Sequence, residues 1–305
     1  MSQDSGAKAS RLRELLGQRT IGIPGAFNAL IAMQIERAGY EAVYVSGAAL
    51  SASRGIPDIG LLTLADVSDE AGRIARAVSI PTIVDADTGY GGPSAVGQAV
   101  GTFEQAGIAG MQIEDQEPGK KCGHLSGKRL ISLEDMTSKL EAAVRAKSDR
   151  NFMIIARTDA RGVEGLDGAL RRAKAYAEAG ADALFPEALG SADEFHTFAR
   201  DIQSAGISVP LVANMTEFGK TPLLSCEEFA SLGYRAVLFP VTTLRTALRA
   251  VEALLAELRL FGTQRDWLHH MMTRQELYRL LDYPESLESE EGRTYGGGNT
   301  RITGT

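Results

Sequence analysis

Four times along this chain the same short pattern recurs: an amphipathic stretch closes on glycine, and a brief apolar run follows. Ala38-Gly39-Tyr40 leads into Val43-Tyr44-Val45-Ser46, and Ala106-Gly107-Ile108 into Gly110-Met111-Gln112-Ile113-Glu114. Ala179-Gly180-Ala181 leads into Ala183-Leu184-Phe185-Pro186-Glu187, and Leu232-Gly233-Tyr234 into Ala236-Val237-Leu238-Phe239-Pro240. Glycine accepts the left-handed conformation that ends a helix without the clash a Cβ would bring, so each unit reads as helix, cap, strand. Four more strands lie between them: Ile21-Gly22-Ile23, Thr82-Ile83-Val84-Asp85, Met153-Ile154-Ile155-Ala156-Arg157 and Leu211-Val212-Ala213-Asn214. Several are nearly unbroken apolar runs, as parallel strands covered on both faces should be.

Helical periodicity fills the gaps, for example over 166–179 and 227–232. Ser225 and Glu228 stand at capping-box spacing before the latter. Eight strands alternating with helices predict right-handed βαβ units, and their number predicts a closed (β/α)8 TIM-type barrel. No Gly-x-Gly-x-x-Gly follows the first strand, which disfavours an open dinucleotide-binding sheet. The 305 residues exceed the roughly 250 of such a barrel. The expected division is a barrel with a short N-terminal helix over 1–258, a helical arm over 259–287 and a flexible tail over 288–305. The arm carries Trp267, Met271, Met272, Leu277, Tyr278 and Leu281 at helical spacing, with no barrel position left to fill. An apolar helix in that situation suggests a partner surface.

Barrel enzymes place their chemistry at the C-terminal strand ends. Here those ends are Ser46-Gly47, Asp85-Ala86-Asp87, Glu114-Asp115, Arg157, Glu187, Asn214 and, past the last strand, Arg245. A single carboxylate there often caps a helix; many polar ends at one mouth point to a site. Asp85 and Asp87 are two apart, so on an extended strand they face the same way. With Glu114 they offer hard oxygen ligands, the preference of Mg²⁺ or Mn²⁺. Arg157 and Arg245 supply planar forks for carboxylates. The ligand these residues anticipate is a small, carboxylate-rich organic acid whose developing oxyanion a metal stabilises. Between the fourth and fifth strands lies Lys120-Lys121-Cys122-Gly123-His124, a thiol among cations in a run of turn formers. Neighbouring cations lower a thiol pKa, which suits Cys122 to general acid chemistry; an incidental cysteine on a basic loop is the plain alternative.

Other classes are excluded by composition. The net charge is −7 and no long basic run occurs, against nucleic acid. No stretch reaches the ~20 apolar residues of a membrane span, and residues 1–11 lack the apolar core of a signal peptide. Cys122 and Cys226 offer neither a disulfide framework nor a zinc spacing, and Cys226 reads as structural. The expected compartment is the cytoplasm. His196, His269 and His270 lie on helical patterns and read as surface or interface residues.

The loop 120–124, the run Asp85-Ala86-Asp87-Thr88-Gly89-Tyr90-Gly91 and Gln112-Ile113-Glu114-Asp115-Gln116 resemble the isocitrate lyase/phosphoenolpyruvate mutase superfamily. The resemblance spans about residues 21–281. It is sharpened by Ala156-Arg157-Thr158-Asp159-Ala160-Arg161-Gly162-Val163-Glu164-Gly165-Leu166-Asp167, by Leu184-Phe185-Pro186-Glu187-Ala188 and by Asn214-Met215-Thr216-Glu217-Phe218-Gly219. The cysteine loop resembles that of the superfamily's lyase branch. The resemblance implies Mg²⁺, with Mn²⁺ as substitute, on Asp85 and Asp87, and Glu114 bound directly or through water. It implies substrate contacts from Ser46, Gly47, Ala48, Gly123, His124, Arg157, Glu187, Asn214, Thr216, Arg245 and Arg274. Some relatives have glycine where this chain has Ala48, and Arg274 read alone is a surface charge.

Cys122 would protonate a carbanion. Tyr44, on the strand face of Ser46, would either take a proton from the substrate hydroxyl or pack the barrel interior. Asp58, on a probable loop, has a secondary role or stabilises a turn. The implied reaction is cleavage of the tricarboxylate (2R,3S)-2-methylisocitrate to pyruvate and succinate in propionate catabolism. The implied assembly is a homotetramer whose C-terminal arms swap between subunits. Isocitrate cleavage and oxaloacetate decarboxylation are the alternatives within the superfamily, and a non-catalytic binding or assembly barrel is the alternative outside it.

Overall fold

The computed structural model describes residues 3–119 and 127–283. Its strands are β1 (Ile21–Pro24), β2 (Val43–Val45), β3 (Thr82–Asp85), β4 (Gly110–Glu114), β5 (Met153–Thr158), β6 (Ala183–Pro186), β7 (Val212–Asn214) and β8 (Ala236–Phe239). Between them run α1 (Gln3–Gln18), α2 (Ala29–Arg37), α3 (Gly47–Ser53), α4 (Leu64–Ala77), α5 (Pro93–Gln105) and α6 (Leu133–Ala146). The series continues with α7 (Arg161–Glu178), α8 (Ala192–Ser204), α9 (Cys226–Ser231), α10 (Thr242–Phe261) and α11 (Arg274–Leu280). All eight expected strands form, each within a residue or two of its expected limits. The four glycines of the recurring pattern, Gly39, Gly107, Gly180 and Gly233, all stand at positive φ between 83° and 94°. Both halves of the capping box at Ser225 and Glu228 are made.

Every strand pairing is parallel. β2 to β6 pair in sequence order, and β1, β8 and β7 form a second group. Single parallel bridges, Gly25 with Tyr44 and Leu184 with Leu211, join the two groups. The strands therefore follow one another in a ring from β1 to β8 and back, as the α/β repeat predicts. Register sets Glu114 beside Arg157 on β4 and β5, and Asp85 beside Gln112 on β3 and β4.

Side chains pack in two layers. The outer one lies between strands and helices and includes Val43, Val84, Met111, Ile154 and Leu184 with Ile74, Phe103, Leu140 and Phe195. The inner one fills the ring, and α1 contributes Ala9, Leu12, Leu15 and Leu16 to it. Those residues meet Ile21, Ala42, Ala109, Met153, Ala183 and Ala236, at or just before the starts of their strands. The helix thus closes the N-terminal end of the ring. Lys8 pins it there, donating to the Ala75 and Val78 carbonyls at 2.8 and 2.7 Å where α4 ends, so those acceptors are satisfied at the helix terminus. The polar C-terminal strand ends form the opposite rim.

This compact unit ends at Arg249, and a second begins at Ala250. The expected division after residue 258 falls inside α10, which runs on to Phe261. The second unit continues with a 3-10 helix, Arg265–His270, and α11. Val251, Leu255, Leu260, Phe261, Leu268 and Met272 of this unit are exposed. The tail expected over 288–305 lies outside the described residues. Among the described residues, no helix is long and apolar enough to cross a membrane.

Candidate active site

The rim begins where β2 turns into α3. Ser46 caps that helix, its Oγ accepting from the Ala49 amide at 3.4 Å, and the Gly47 amide points to Asp85 Oδ2 at 3.3 Å. A Cβ at Gly47 would lie 2.9 Å from Asp87 Oδ1 and 3.3 Å from Asp85 Oδ2, so only glycine lets both carboxylates come this near the backbone. The two aspartates do converge, but not by strand alternation as the sequence suggests. β3 ends at Asp85, and Asp87 stands in the left-handed region at φ 49°. Gly89 at 87°, Tyr90 at 60° and Gly91 at 148° prolong that turn, a sparsely populated backbone path of the kind found at functional sites. The Asp87 amide donates to Asp85 Oδ1 at 3.0 Å, and Lys139 Nζ holds the Thr88 carbonyl at 2.9 Å. A cleft of about 1080 Å³ opens beside Asp87, lined also by Thr63, Thr88, Tyr90 and Lys139.

Two nearly buried carboxylates beside Gly47 make a hard-oxygen donor pair. It fits Mg²⁺, which takes few protein carboxylates and keeps several waters. Glu114 does not complete a cage: among the described residues, no three His, Cys, Asp or Glu side chains form a metal-holding group. Its carboxylate instead meets Arg157 Nη1 at 3.2 Å and accepts from Gln116 Nε2 at 3.0 Å. Contact with a metal through water is compatible with that arrangement.

Arg157 is the hub of the mouth. Its Nε and Nη2 grip Asp159 at 3.0 and 3.1 Å, Glu187 lies 3.6 Å away, and the guanidinium sits over the Phe185 ring. Burial opposes its charge, but Asp159, Glu114 and Glu187 outweigh burial and hold the proton more firmly than usual. Asn214 donates to Glu187 at 3.2 Å and accepts from the Thr216 hydroxyl at 2.7 Å, so Glu187, Asn214 and Thr216 form one chain. Arg245 is not part of that hub. It donates to the Glu217 carbonyl at 2.7 Å, lies over Phe218 and is 43 % exposed.

Tyr44 points into the ring, 3 % exposed, and its hydroxyl donates to Gln112 Oε1 at 2.8 Å. Gln112 Nε2 in turn approaches Glu114 Oε2 at 3.5 Å. Ala48 lies half-buried in α3, and Asp58 half-buried in the loop before α4. Arg274 opens α11, exposed, in the second unit. Cys122, Gly123 and His124 lie outside the described residues. The chain on either side of their segment is described: Glu117 donates to the Arg129 carbonyl at 2.9 Å, and Gln116 bridges Leu130 in antiparallel sense.

Five polar residues whose roles sequence reasoning left unassigned organise this mouth: Gln112, Asp115, Gln116, Lys128 and Asp159. Asp115 is fully buried. It accepts from the Thr158 hydroxyl, the Asp159 amide and the Tyr176 hydroxyl at 2.8 to 2.9 Å, which fastens the end of β4 to the end of β5. Burial and the Asp159 charge push its pKa up. Burial works the same way on Asp159, but the charges of Arg157 and Lys128 prevail and hold its carboxyl below the ordinary range. One signal was readable beforehand: Gln112 interrupts an apolar strand two residues before Glu114, on the same face.

The phosphoenolpyruvate phosphomutase family model matches residues 12–259. A 2-methylisocitrate lyase of Aeropyrum pernix is 51% identical over 273 residues, 89% of this chain and 86% of that protein. A 2-methylisocitrate lyase of Escherichia coli is 44% identical over 285 residues, 93% of this chain and 94% of that protein. Among solved structures, a phosphonopyruvate hydrolase in complex with oxalate and Mg²⁺ matches with a TM-score of 0.82 at 32% identity, covering 94% of this chain and 99% of that one.

Proposed function

The chain belongs to the phosphoenolpyruvate phosphomutase family, and from that premise we propose that it cleaves (2R,3S)-2-methylisocitrate to pyruvate and succinate with Mg²⁺. The likeness to the Aeropyrum pernix lyase over 89% of the chain carries this reading, and the polar mouth supplies its chemistry. Asp85 and Asp87 would hold Mg²⁺, with Glu114 reaching it through water. When bound, the ion stabilises negative charge on the oxygen of the oxo-acid half as a Lewis acid. Ser46, Gly47 and Ala48 face that half. Arg157 and Arg245 grip carboxylates, while Glu187, Asn214 and Thr216 fix orientation.

In this reading Tyr44 reacts as the phenolate, its own proton having first left to water at the mouth beside Gln112 and Glu114, and takes the proton of the substrate hydroxyl. The bond from the hydroxyl-bearing carbon to its neighbour then breaks. Its electron pair stays on the neighbour, and the former alcohol becomes the ketone of pyruvate. Cys122 gives its proton to that carbanion, producing succinate, and Gly123 and His124, next to it in sequence, contact the substrate in this reading. In this reading the enzyme works in the cytoplasm, in propionate catabolism.

With Mg²⁺ present, pyruvate release from 2-methylisocitrate should exceed that from isocitrate or oxaloacetate in kcat/KM. Preference for isocitrate would reassign the chain to isocitrate cleavage, and turnover of oxaloacetate alone to decarboxylation. Turnover of none of the three would leave a binding or assembly protein.

The same reading gives the second unit a partner. Its exposed Val251, Leu255, Leu260, Phe261, Leu268 and Met272 are the surface an arm swapped within a homotetramer would bury, and Arg274 on that arm would reach a substrate. A stable interface needs roughly 1,200 Å² of total buried surface. Light scattering should report a tetramer for the full chain and smaller species once residues 259–305 are removed. A full-length monomer at micromolar concentration would refute the swap.

A further inference from the structure

Lys128 has no role in the reaction as drawn above, yet its side chain is only 3 % exposed and its ammonium lies 2.8 Å from Asp159 Oδ1. Burying a lysine costs hydration and rotamer freedom, so lysines are almost never fully buried without a partner charge. This partner is shared. Asp159 Oδ1 also accepts from Arg157 Nη2 at 3.1 Å, while Oδ2 accepts from Arg157 Nε at 3.0 Å. The Asp159 main chain is anchored separately, its amide donating to Asp115 Oδ1 at 2.9 Å. The backbone is thus set by β4, and the carboxylate is held between two cations.

We propose that Lys128 is a positioning residue for the lyase reaction: it locks Asp159 in its two-point grip on Arg157, and so fixes how the guanidinium meets the substrate. The inference rests on the reading of Arg157 as the arginine that binds a substrate carboxylate. Three carboxylates approach Arg157: Asp159 grips it with both oxygens, Glu114 meets Nη1 at 3.2 Å and Glu187 lies 3.6 Å from Nε. Without the ammonium, only Arg157 itself still holds the Asp159 carboxylate, so the pair can shift together and Arg157 can settle toward Glu114 or Glu187. The charge balance shifts in the same direction. Asp159, Glu114 and Glu187 against Arg157 and Lys128 leave one excess negative charge; removing Lys128 leaves two, in a poorly screened mouth that must admit a polyanion. Buried ion pairs often add little net stability over apolar replacements, so the contribution assigned here is geometry and charge at the site.

The expected signature is a split between binding and turnover. Lys128→Gln keeps a hydrogen-bond donor for Asp159 but loses the charge. It should raise KM for 2-methylisocitrate by about 10- to 100-fold, the scale for residues that orient a ligand-contacting group, and change kcat by no more than about threefold, as loss of uniform binding does. Lys128→Arg restores the charge and should bring KM back toward wild type. The double variant Lys128→Gln/Asp159→Asn should be no worse than the worse of its single parents, because both act through one contact. Equal KM values for the Gln and Arg variants, or losses that multiply in the double variant, would overturn the proposal. Arg157→Gln separates the two readings. If it loses kcat/KM while Lys128→Gln does not, the Lys128 role fails and the arginine assignment stands. If Arg157→Gln itself binds and turns over normally, both fall. Should Lys128→Gln not fold, the comparison of Lys128→Arg with Asp159→Asn decides: a raised KM in the latter alone supports the role, and unchanged KM in both refutes it.

Discussion

Asp85→Asn and Asp87→Asn should each leave a folded protein with about a thousandth of the wild-type kcat/KM at ordinary Mg²⁺. A Lewis acid supplies several kcal/mol of charge stabilisation in the transition state, and about 4 kcal/mol corresponds to that factor. The two carboxylates stand together only because Gly47 has no side chain and the backbone after β3 turns left-handed at Asp87. Neutralising either removes half of the anionic pair, and water replaces it poorly as a ligand. EDTA should abolish turnover of the wild type, Mg²⁺ or Mn²⁺ should restore it, and both variants should require much more metal for half-maximal rate. Zn²⁺ should restore little, since no imidazole or thiolate among the described residues joins the pair. Full activity in a thoroughly chelated sample would remove the metal site and the mechanism built on it. A cradle test needs no substrate: Gly47→Ala should weaken Mn²⁺ binding, because its Cβ would come within 2.9 Å of Asp87 Oδ1.

Cys122→Ser should lower kcat by about 10² or more, the scale of a lost proton donor, because a serine hydroxyl is a far weaker acid than a thiol. Thermal stability and metal dependence should stay close to wild type. Thiol alkylation should inactivate the wild type in parallel, and bound substrate should slow that alkylation. The serine variant at near-wild-type kcat would mean that another group delivers the proton. Cys226→Ala should leave the inactivation unchanged, which separates the two thiols; burial raises the pKa of the Cys226 thiol.

The sequence by itself determined the strand positions and their order, because both are local. A glycine cap and an apolar run of four or five residues specify a helix end and a buried parallel strand wherever they stand in the fold. It also named most of the polar residues at the strand ends, since those ends follow directly from the strand limits. Tertiary structure alone decided how those residues meet. Asp85 and Asp87 converge through a left-handed turn, not through strand alternation, and that depends on the space Gly47 leaves on a neighbouring strand's helix. Arg157 and Arg245 look equivalent in sequence, yet one is buried among carboxylates and the other lies on Glu217 and Phe218. Asp115, Lys128 and Asp159 acquire their roles from one another across β4, β5 and the chain between them, contacts that no local pattern encodes. The closing of the ring by α1 is the same kind of fact: Leu12, Leu15 and Leu16 mark an apolar helix face, and only the finished ring shows what that face covers. Periodicity and propensity act over a few neighbours along the chain, whereas charge pairing and packing act over ångströms between segments that folding alone brings together.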